Sequence, residues 1–383
     1  MKNISIIVPI YYGEKYIPNI IRQAEDCRRY LDKEDYLELL LVNDAPDAPL
    51  SQNFESNDIH LIIINTDENI GIHGARVKGL KKCQGEYVLF LDQDDRICSE
   101  YFYSQCISIE ENDASICKAI HAGEEYYAEE QVFKNIISKE FVLGHWNQII
   151  SPGQVLLRKS AVPDVWVENI MKYNGADDWL LWLCMISKGC RFSLNDDILY
   201  EHVSNGSNTS GDVVGMAQSE HEVIRIVQKK GLFQGNDLQL LMEGFFLRDL
   251  VRAREMRTLK KKFDVFDKWM RLREQGVNYS EHLKATGIHS VAIYGCGAAG
   301  KHLFSELKTS ICVKGFIDRN AGELSAEIPI YTWRDTWPEV DGIIITLMEG
   351  EEKVEKEIKE KAGARVLVLK DWIMKTEPRF FQP

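Results

Sequence analysis

The chain has 383 residues, 45% hydrophobic and 27% charged, with a formal net charge of −13. This length supports two or three domains, the acidic balance argues against broad nucleic-acid binding, and no apolar run approaches the ~20 residues that span a bilayer. Nine cysteines without CxxC spacing read as free thiols of a reducing cytosol, which speaks against a zinc site or a disulfide framework.

The first 120 residues alternate between short apolar runs and amphipathic segments. "ISIIVPIY" (4–11) predicts a buried strand, and it starts too near Met1 for a cleavable leader, so the expectation is a cytoplasmic protein. A helix follows over 14–31, then strands over 37–44 and 59–65, a helix over 72–83 and a strand over 86–92. Near-continuous apolar strands separated by helices predict an α/β fold with a parallel sheet covered on both faces. Ligands of such sheets bind at the carboxyl ends of the strands. Polar residues gather there: Tyr11 and Tyr12, Asp44, Asn69, then Asp92, Asp94 and Asp95.

The last three belong to "FLDQDD" (90–95), where three carboxylates crowd one strand end and call for a positive partner. A D-x-D at this place suits Mg²⁺ or Mn²⁺, hard cations that take carboxylate and phosphate oxygens. The reading is a metal bridging Asp94 to a diphosphate, with Asp92 near a ribose or a water. A second acidic pair, Asp177 and Asp178, precedes the apolar run "WLLWL" at a predicted helix start, where simple capping is the bland alternative.

From 215 to 285 the pattern turns helical. Residues 247–275 hold ten Arg and Lys against five Asp and Glu, a local +5 in an acidic protein. A solvated face against a neighbouring domain is one reading; a peripheral contact with anionic lipid at the inner face of the membrane is the other. A new α/β unit begins near 286. Its "YGCGAAGK" places Gly295, Gly297 and Gly300 in G-x-G-x-x-G spacing after an apolar strand, with Asp318 ending the next strand. By form this is a dinucleotide fingerprint, with NAD(P) or another nucleotide as the implied cofactor. A structural or assembly role is the other reading, since no set of His, Tyr and Lys for hydride chemistry is evident. The expected domains are therefore 1–214, a helical, locally basic connecting region over 215–285, and 286–383.

Six segments occur in order over about residues 1–210: "SIIVPIYYGEKYI", "ELLLVNDAPD", "NIGIHGARVKGL", "GEYVLFLDQDD", "GADDWLLWLCMISKG" and "LYEHVSNGS". Together this part resembles the inverting nucleotide-sugar glycosyltransferases of family 2, which have the GT-A fold. The resemblance implies that Tyr11 packs on the nucleotide base, Asp44 meets its edge, and Asn69, Gly71 and Arg76 lie near the nucleotide or the acidic motif. It implies Asp92 on the ribose side, Asp94 on the metal with Asp95 in support, and His202 near metal and diphosphate. Asp178 would be the catalytic base, with Asp177 orienting the acceptor or capping the helix. Trp146, Gln154 and Arg158 would face the acceptor. The donor implied is a nucleotide sugar, a UDP-sugar first, and the acceptor a cell-surface glycan or lipid-linked sugar. The chain departs from the family pattern at Tyr12, at "NDAPDA" and at Val77 after Arg76. The C-terminal unit resembles the small Rossmann-like domains appended to bacterial polysaccharide-processing enzymes. An NAD(P)-dependent oxidoreductase and a non-catalytic nucleotide-sugar-binding protein stand as alternatives.

Overall fold

Each of the predicted strands in the first 92 residues forms, because β-branched and leucine-rich runs need both faces of a sheet covered. In the computed structural model, residues 1–377 are described except 52, 128, 137, 146 and 204–211. Contacts divide the chain into two units, Met1–Asp249 and Leu250–Pro383. The division falls inside one helix, Gly235–Glu274, in place of the separate connecting region expected over 215–285. Leu241 and Phe245 of that helix enter a core of the first unit, while Val265, Trp269 and Leu272 enter a core of the second.

The strands of the first unit are β1 (Asn3–Ile10), β2 (Tyr36–Asn43), β3 (His60–Asn65), β4 (Tyr87–Phe90), β5 (Arg96–Ile97), β6 (Ala114–His121), β7 (Glu124–Glu125), β8 (Val155–Arg158) and β9 (Phe192–His202). They form one sheet in the order β3-β2-β1-β4-β8-β6-β9-β5, with β7 beside β6. The first four are mutually parallel, as their apolar runs predict. Beyond β4 the sheet departs from the all-parallel expectation: β8 runs antiparallel to both β4 and β6, and β5 antiparallel to β9.

Alternation along β1 feeds two cores, because successive side chains point to opposite faces. Ile4, Ile6, Val8 and Ile10 join the face under the helices Ile17–Arg28 and Tyr101–Ile109. Ile7 joins the face under Gly71–Lys82 and Asp177–Lys188. The second of these is buried through most of its length, from Asp177 to Met185, and ends on Gly189 at φ +81. A helix so apolar can only be central, and this centrality brings its N-terminus beneath the sheet's carboxyl edge.

The second unit holds β10 (Ser290–Tyr294), β11 (Cys312–Ile317), β12 (Ile330–Tyr331), β13 (Gly342–Ile345) and β14 (Arg365–Val368). All pairings are parallel, in the order β12-β11-β10-β13-β14. Counted in chain order these strands run 3-2-1-4-5, five of the six positions of a doubly wound sheet, with the order reversing between β10 and β13. Gly300 has a clear reason: a Cβ there would come within 1.9 Å of the Gly295 carbonyl oxygen. Helix Ala298–Leu307 can therefore lie against the turn only without a side chain at that position.

Candidate active site

The carboxyl ends of β1, β2 and β4 open into a cleft of about 690 Å³ in the first unit. Its lining includes Tyr11, Tyr12, Asp44, Asn69, Arg76, Asp92, Asp94, Asp177, Asp178 and His202. Both acidic clusters, more than 80 residues apart in sequence, thus face one cavity.

The positive group that the crowded carboxylates demand is, first of all, Arg76. Its guanidinium bonds Asp92 at 2.5 Å and Asp177 at 2.7 Å. Its side chain is only 4% exposed. Burial alone would lower the arginine pKa, but Asp177, Asp92 and Asp178 outweigh it and hold the charge firmly in place. Asp92 also accepts from the Ser151 hydroxyl at 3.2 Å. Burial nonetheless pushes its carboxyl above the usual range, against the pull of Arg76.

Asp178 lies at the same helix start and has no direct share of the arginine. Asn147 Nδ2 donates to its Oδ2 at 2.8 Å, and the Trp179 backbone N–H to its Oδ1 at 2.7 Å. Burial, then the neighbouring charge of Asp177, pushes Asp178 up to about 7, with Arg76 pulling the other way. A carboxylate poised near neutrality in a cleft is what a general base requires. Asp177, expected on the acceptor side or as a cap, is instead committed to Arg76, and its carbonyl accepts from the Trp166 indole at 2.8 Å.

Asp95 is wholly buried and serves as an anchor. It accepts from the Tyr200 hydroxyl, from the Val203 backbone N–H at 2.9 Å, and faces His202 Nδ1 at 3.2 Å. The hydrogen bond to Asp95 raises the His202 pKa against the effect of burial. The His202 ring stacks on His121, centroids 5.2 Å apart, and His121 also lines the cleft. His121 gave no sequence signal, because it ends β6 inside an ordinary alternating run.

On the opposite wall, Tyr11 and Tyr12 are half exposed and meet edge to face at 4.6 Å. Tyr12 sits at φ +47, a costly conformation for a bulky residue. Its hydroxyl is tied to both Asp47 oxygens, at 2.9 and 2.8 Å. Asp44 accepts from the Ile70 backbone N–H at 2.7 Å, while burial pushes its carboxyl up. Asn69 Oδ1 accepts from the Gly71 N–H at 3.1 Å. Gly71 itself is at φ +73, with Asn174 Oδ1 only 2.8 Å from where a Cβ would stand.

Two acceptor-side expectations fail on geometry. Gln154 is fully buried, its amide donating to the Cys117 carbonyl at 2.9 Å and accepting from Ile150 N–H at 2.8 Å. It braces the segment under β8 and does not line the cleft. Arg158 points its guanidinium at Glu86 and at the Asn112 and Glu110 carbonyls, away from the site. Trp146 lies outside the described residues, as does most of the loop after His202.

In the second unit, Gly295 is at φ +98 and Gly297 caps the helix Ala298–Leu307. Asp318 does not wait for a ribose. Its Oδ2 accepts from the Cys296 N–H at 2.8 Å and its Oδ1 from the Asn320 N–H at 3.0 Å. Both oxygens hold backbone, which gives the NAD(P) expectation no support. All nine cysteines are free, and no helix among the described residues is long and apolar enough to cross a membrane.

Residues 5–166 match the family model described as Glycosyl transferase family 2. That stretch carries a family 2 glycosyltransferase domain, and the first unit around it is a mixed α/β fold. The undecaprenyl-phosphate 4-deoxy-4-formamido-L-arabinose transferase of Pseudomonas fluorescens is 30% identical over 95 residues, 24% of this chain and 27% of that one. The poly(ribitol-phosphate) beta-N-acetylglucosaminyltransferase TarS of Staphylococcus aureus is 31% identical over 123 residues, 30% of this chain and 20% of that one. The alignments thus span between a fifth and about a quarter of these relatives. A crystal structure of S. aureus TarS 1-349 in complex with UDP-GlcNAc superposes with a TM-score of 0.47 at 20% identity, covering 64% of this chain and 71% of that one.

Proposed function

We propose that the first unit transfers a sugar from a nucleoside diphosphate, a UDP-sugar first, to an acceptor hydroxyl with inversion, and that Asp178 is the base. The acceptor favoured is a cell-surface glycan or a lipid-linked sugar, in line with the names of the relatives. One observation carries the reading: a carboxylate raised to about 7 faces the same cleft as the strand-end acids. Inverting transfer needs a base on the acceptor side, with the leaving diphosphate on the other.

Tyr11 offers a ring face to a nucleobase, with Asp44 and Asn69 beside it, and Asp92 and Asp94 meet the ribose and diphosphate. Among the described residues no three His, Cys, Asp or Glu side chains gather to hold a metal on their own. Asp94 and His202 supply an oxygen and a nitrogen donor on one cleft, a set suited to Mn²⁺ or Mg²⁺ once nucleotide phosphates add their oxygens. Such a cation, when bound, neutralises charge on the departing diphosphate. Arg76 fixes the carboxylates of Asp92 and Asp177 in place through its two hydrogen bonds. Asn147 orients Asp178, whose carboxylate takes the acceptor hydroxyl proton as the new glycosidic bond forms.

A hydrolysis screen of nucleotide sugars with Mn²⁺, followed by Asp178→Asn on the accepted donor, tests this. The expected outcome is loss of transfer with UDP affinity retained. Normal transfer by the variant removes Asp178 from the role.

A further inference from the structure

The 40-residue helix Gly235–Glu274 has apolar residues at three- and four-residue spacing near its N-terminus and again from Met256 to Met270, with Asp249 and Arg252 interrupting the row between. Near the N-terminus, Met242 and Phe245 pack into a core of the first unit. Near the C-terminus, Phe266 and Met270 pack against a core of the second. Between them, Met256, Leu259 and Phe263 stand 43%, 56% and 69% exposed. At 3.6 residues per turn these three fall within an arc of about 60° and span about 10 Å of helix. Three large apolar side chains on one exposed stripe call for an occupant.

Charge chooses among occupants. Residues 250–263 hold six Arg and Lys against one Glu, a local +5 in a chain of net −13. Arg254, Arg257, Lys260, Lys261 and Lys262 are all exposed. A second copy of this segment would set +5 against +5 around the apolar seam, which opposes self-pairing. Arg254, Arg257 and Lys261 lie on the side of the helix far from the stripe and add longer-range attraction. At 3.6 residues per turn Lys260 and Lys262 flank the stripe on its two sides, where a layer of phosphate headgroups receiving the stripe would meet them. Their long stems can lie along the apolar stripe while the charged ends reach outward.

We infer that the exposed segment Leu250–Phe263 docks on an anionic lipid surface, with Met256, Leu259 and Phe263 entering the headgroup boundary and Lys260 and Lys262 beside them meeting the phosphates. The inference stands on this helix alone and is independent of the sugar-transfer reading.

The test is co-sedimentation of the full chain with phosphatidylglycerol vesicles and with phosphatidylcholine vesicles, beside light scattering without lipid. The wild type is expected to sediment with the anionic vesicles only, and to release as salt rises from about 0.05 to about 0.5 M. Leu259→Ser/Phe263→Ser, and separately Lys260→Glu/Lys261→Glu/Lys262→Glu, should each weaken vesicle binding at least about tenfold. Both alter exposed side chains, so circular dichroism and melting should match the wild type. Absence of wild-type binding, or binding by either variant equal to that of the wild type, overturns the assignment. A wild-type dimer that Leu259→Ser/Phe263→Ser dissociates overturns it in favour of a second copy. An acidic protein partner is indicated, against lipid, if neither vesicle binds while poly-glutamate does.

Discussion

Two strand-end acids in this chain look alike in sequence and differ in use. Asp92 ends a strand in the first unit, and Asp318 ends one in the second. Asp318 spends both oxygens on backbone N–H groups and locks the glycine turn beside it. Asp92 instead belongs to a set of acids around one buried arginine, and that set opens into a cleft with negative charge to spare. Each acid has a bond on both oxygens, and Asp92 uses its own on Arg76 and Ser151. What separates the two is that Asp92 lines a cleft beside other carboxylates, whereas Asp318 closes a backbone turn.

The largest expected effect attacks the cleft side of this contrast. Asp178→Asn should lower kcat about 10³-fold in a donor-hydrolysis or transfer assay while UDP affinity stays within about twofold. In the wild type, kcat/KM should fall about tenfold per pH unit below about 7, because only the ionised carboxylate accepts a proton. A flat profile between pH 5 and pH 8 would detach the reaction from this group.

Next comes Arg76→Ala, which leaves Asp92 and Asp177 buried without their counter-charge. Breaking such a pair costs about 3–5 kcal/mol, measurable by urea unfolding. A loss below about 1 kcal/mol would show that water, not Arg76, solvates these carboxylates.

Asp94→Ala should weaken Mn²⁺-dependent UDP binding at least about tenfold and leave metal-free binding unchanged. Calorimetry with and without EDTA separates the two. A smaller effect concerns Asp178 and stability. Its folded pKa lies above the ordinary carboxylate value, so the folded protein holds a proton that the unfolded chain releases. Stability therefore falls as pH rises from about 4 toward about 7. Asp178→Asn should melt a few degrees above the wild type at pH 8 and match it near pH 4, read by scanning fluorimetry. The smallest effect is in the second unit: Asp318→Asn should cost about 1 kcal/mol and leave sugar transfer untouched. A loss of transfer there would give the second unit a part in the reaction.

The first half of the fold was readable from residue order. The parallel strands β1 to β4 and the helices between them lie within a few residues of their predicted bounds, because continuous apolar runs admit few other uses. The antiparallel β8 and the small strands at the far edge were not, since each is short and its partners are distant in the chain. In the cleft, Tyr11, Asp44, Asp92 and Asp94 were legible as polar residues closing apolar runs, and Asp178 as one of an acidic pair opening such a run. The bond from Arg76 to Asp177, across 101 residues, has no local signature. Nor does the Asn147 contact to Asp178, or the stacking of His121 on His202. Gln154 misled because a polar residue in a motif looks the same whether it faces a ligand or braces a loop.

The sequence by itself determined which residues could be central and which could carry charge, because periodicity and burial are local demands that every fold of this chain must meet. Only the tertiary structure decided which carboxylate is neutralised, which is locked to backbone and which is raised toward neutrality. Those outcomes depend on desolvation and on charges a few ångströms away, and both are supplied by residues remote in the chain.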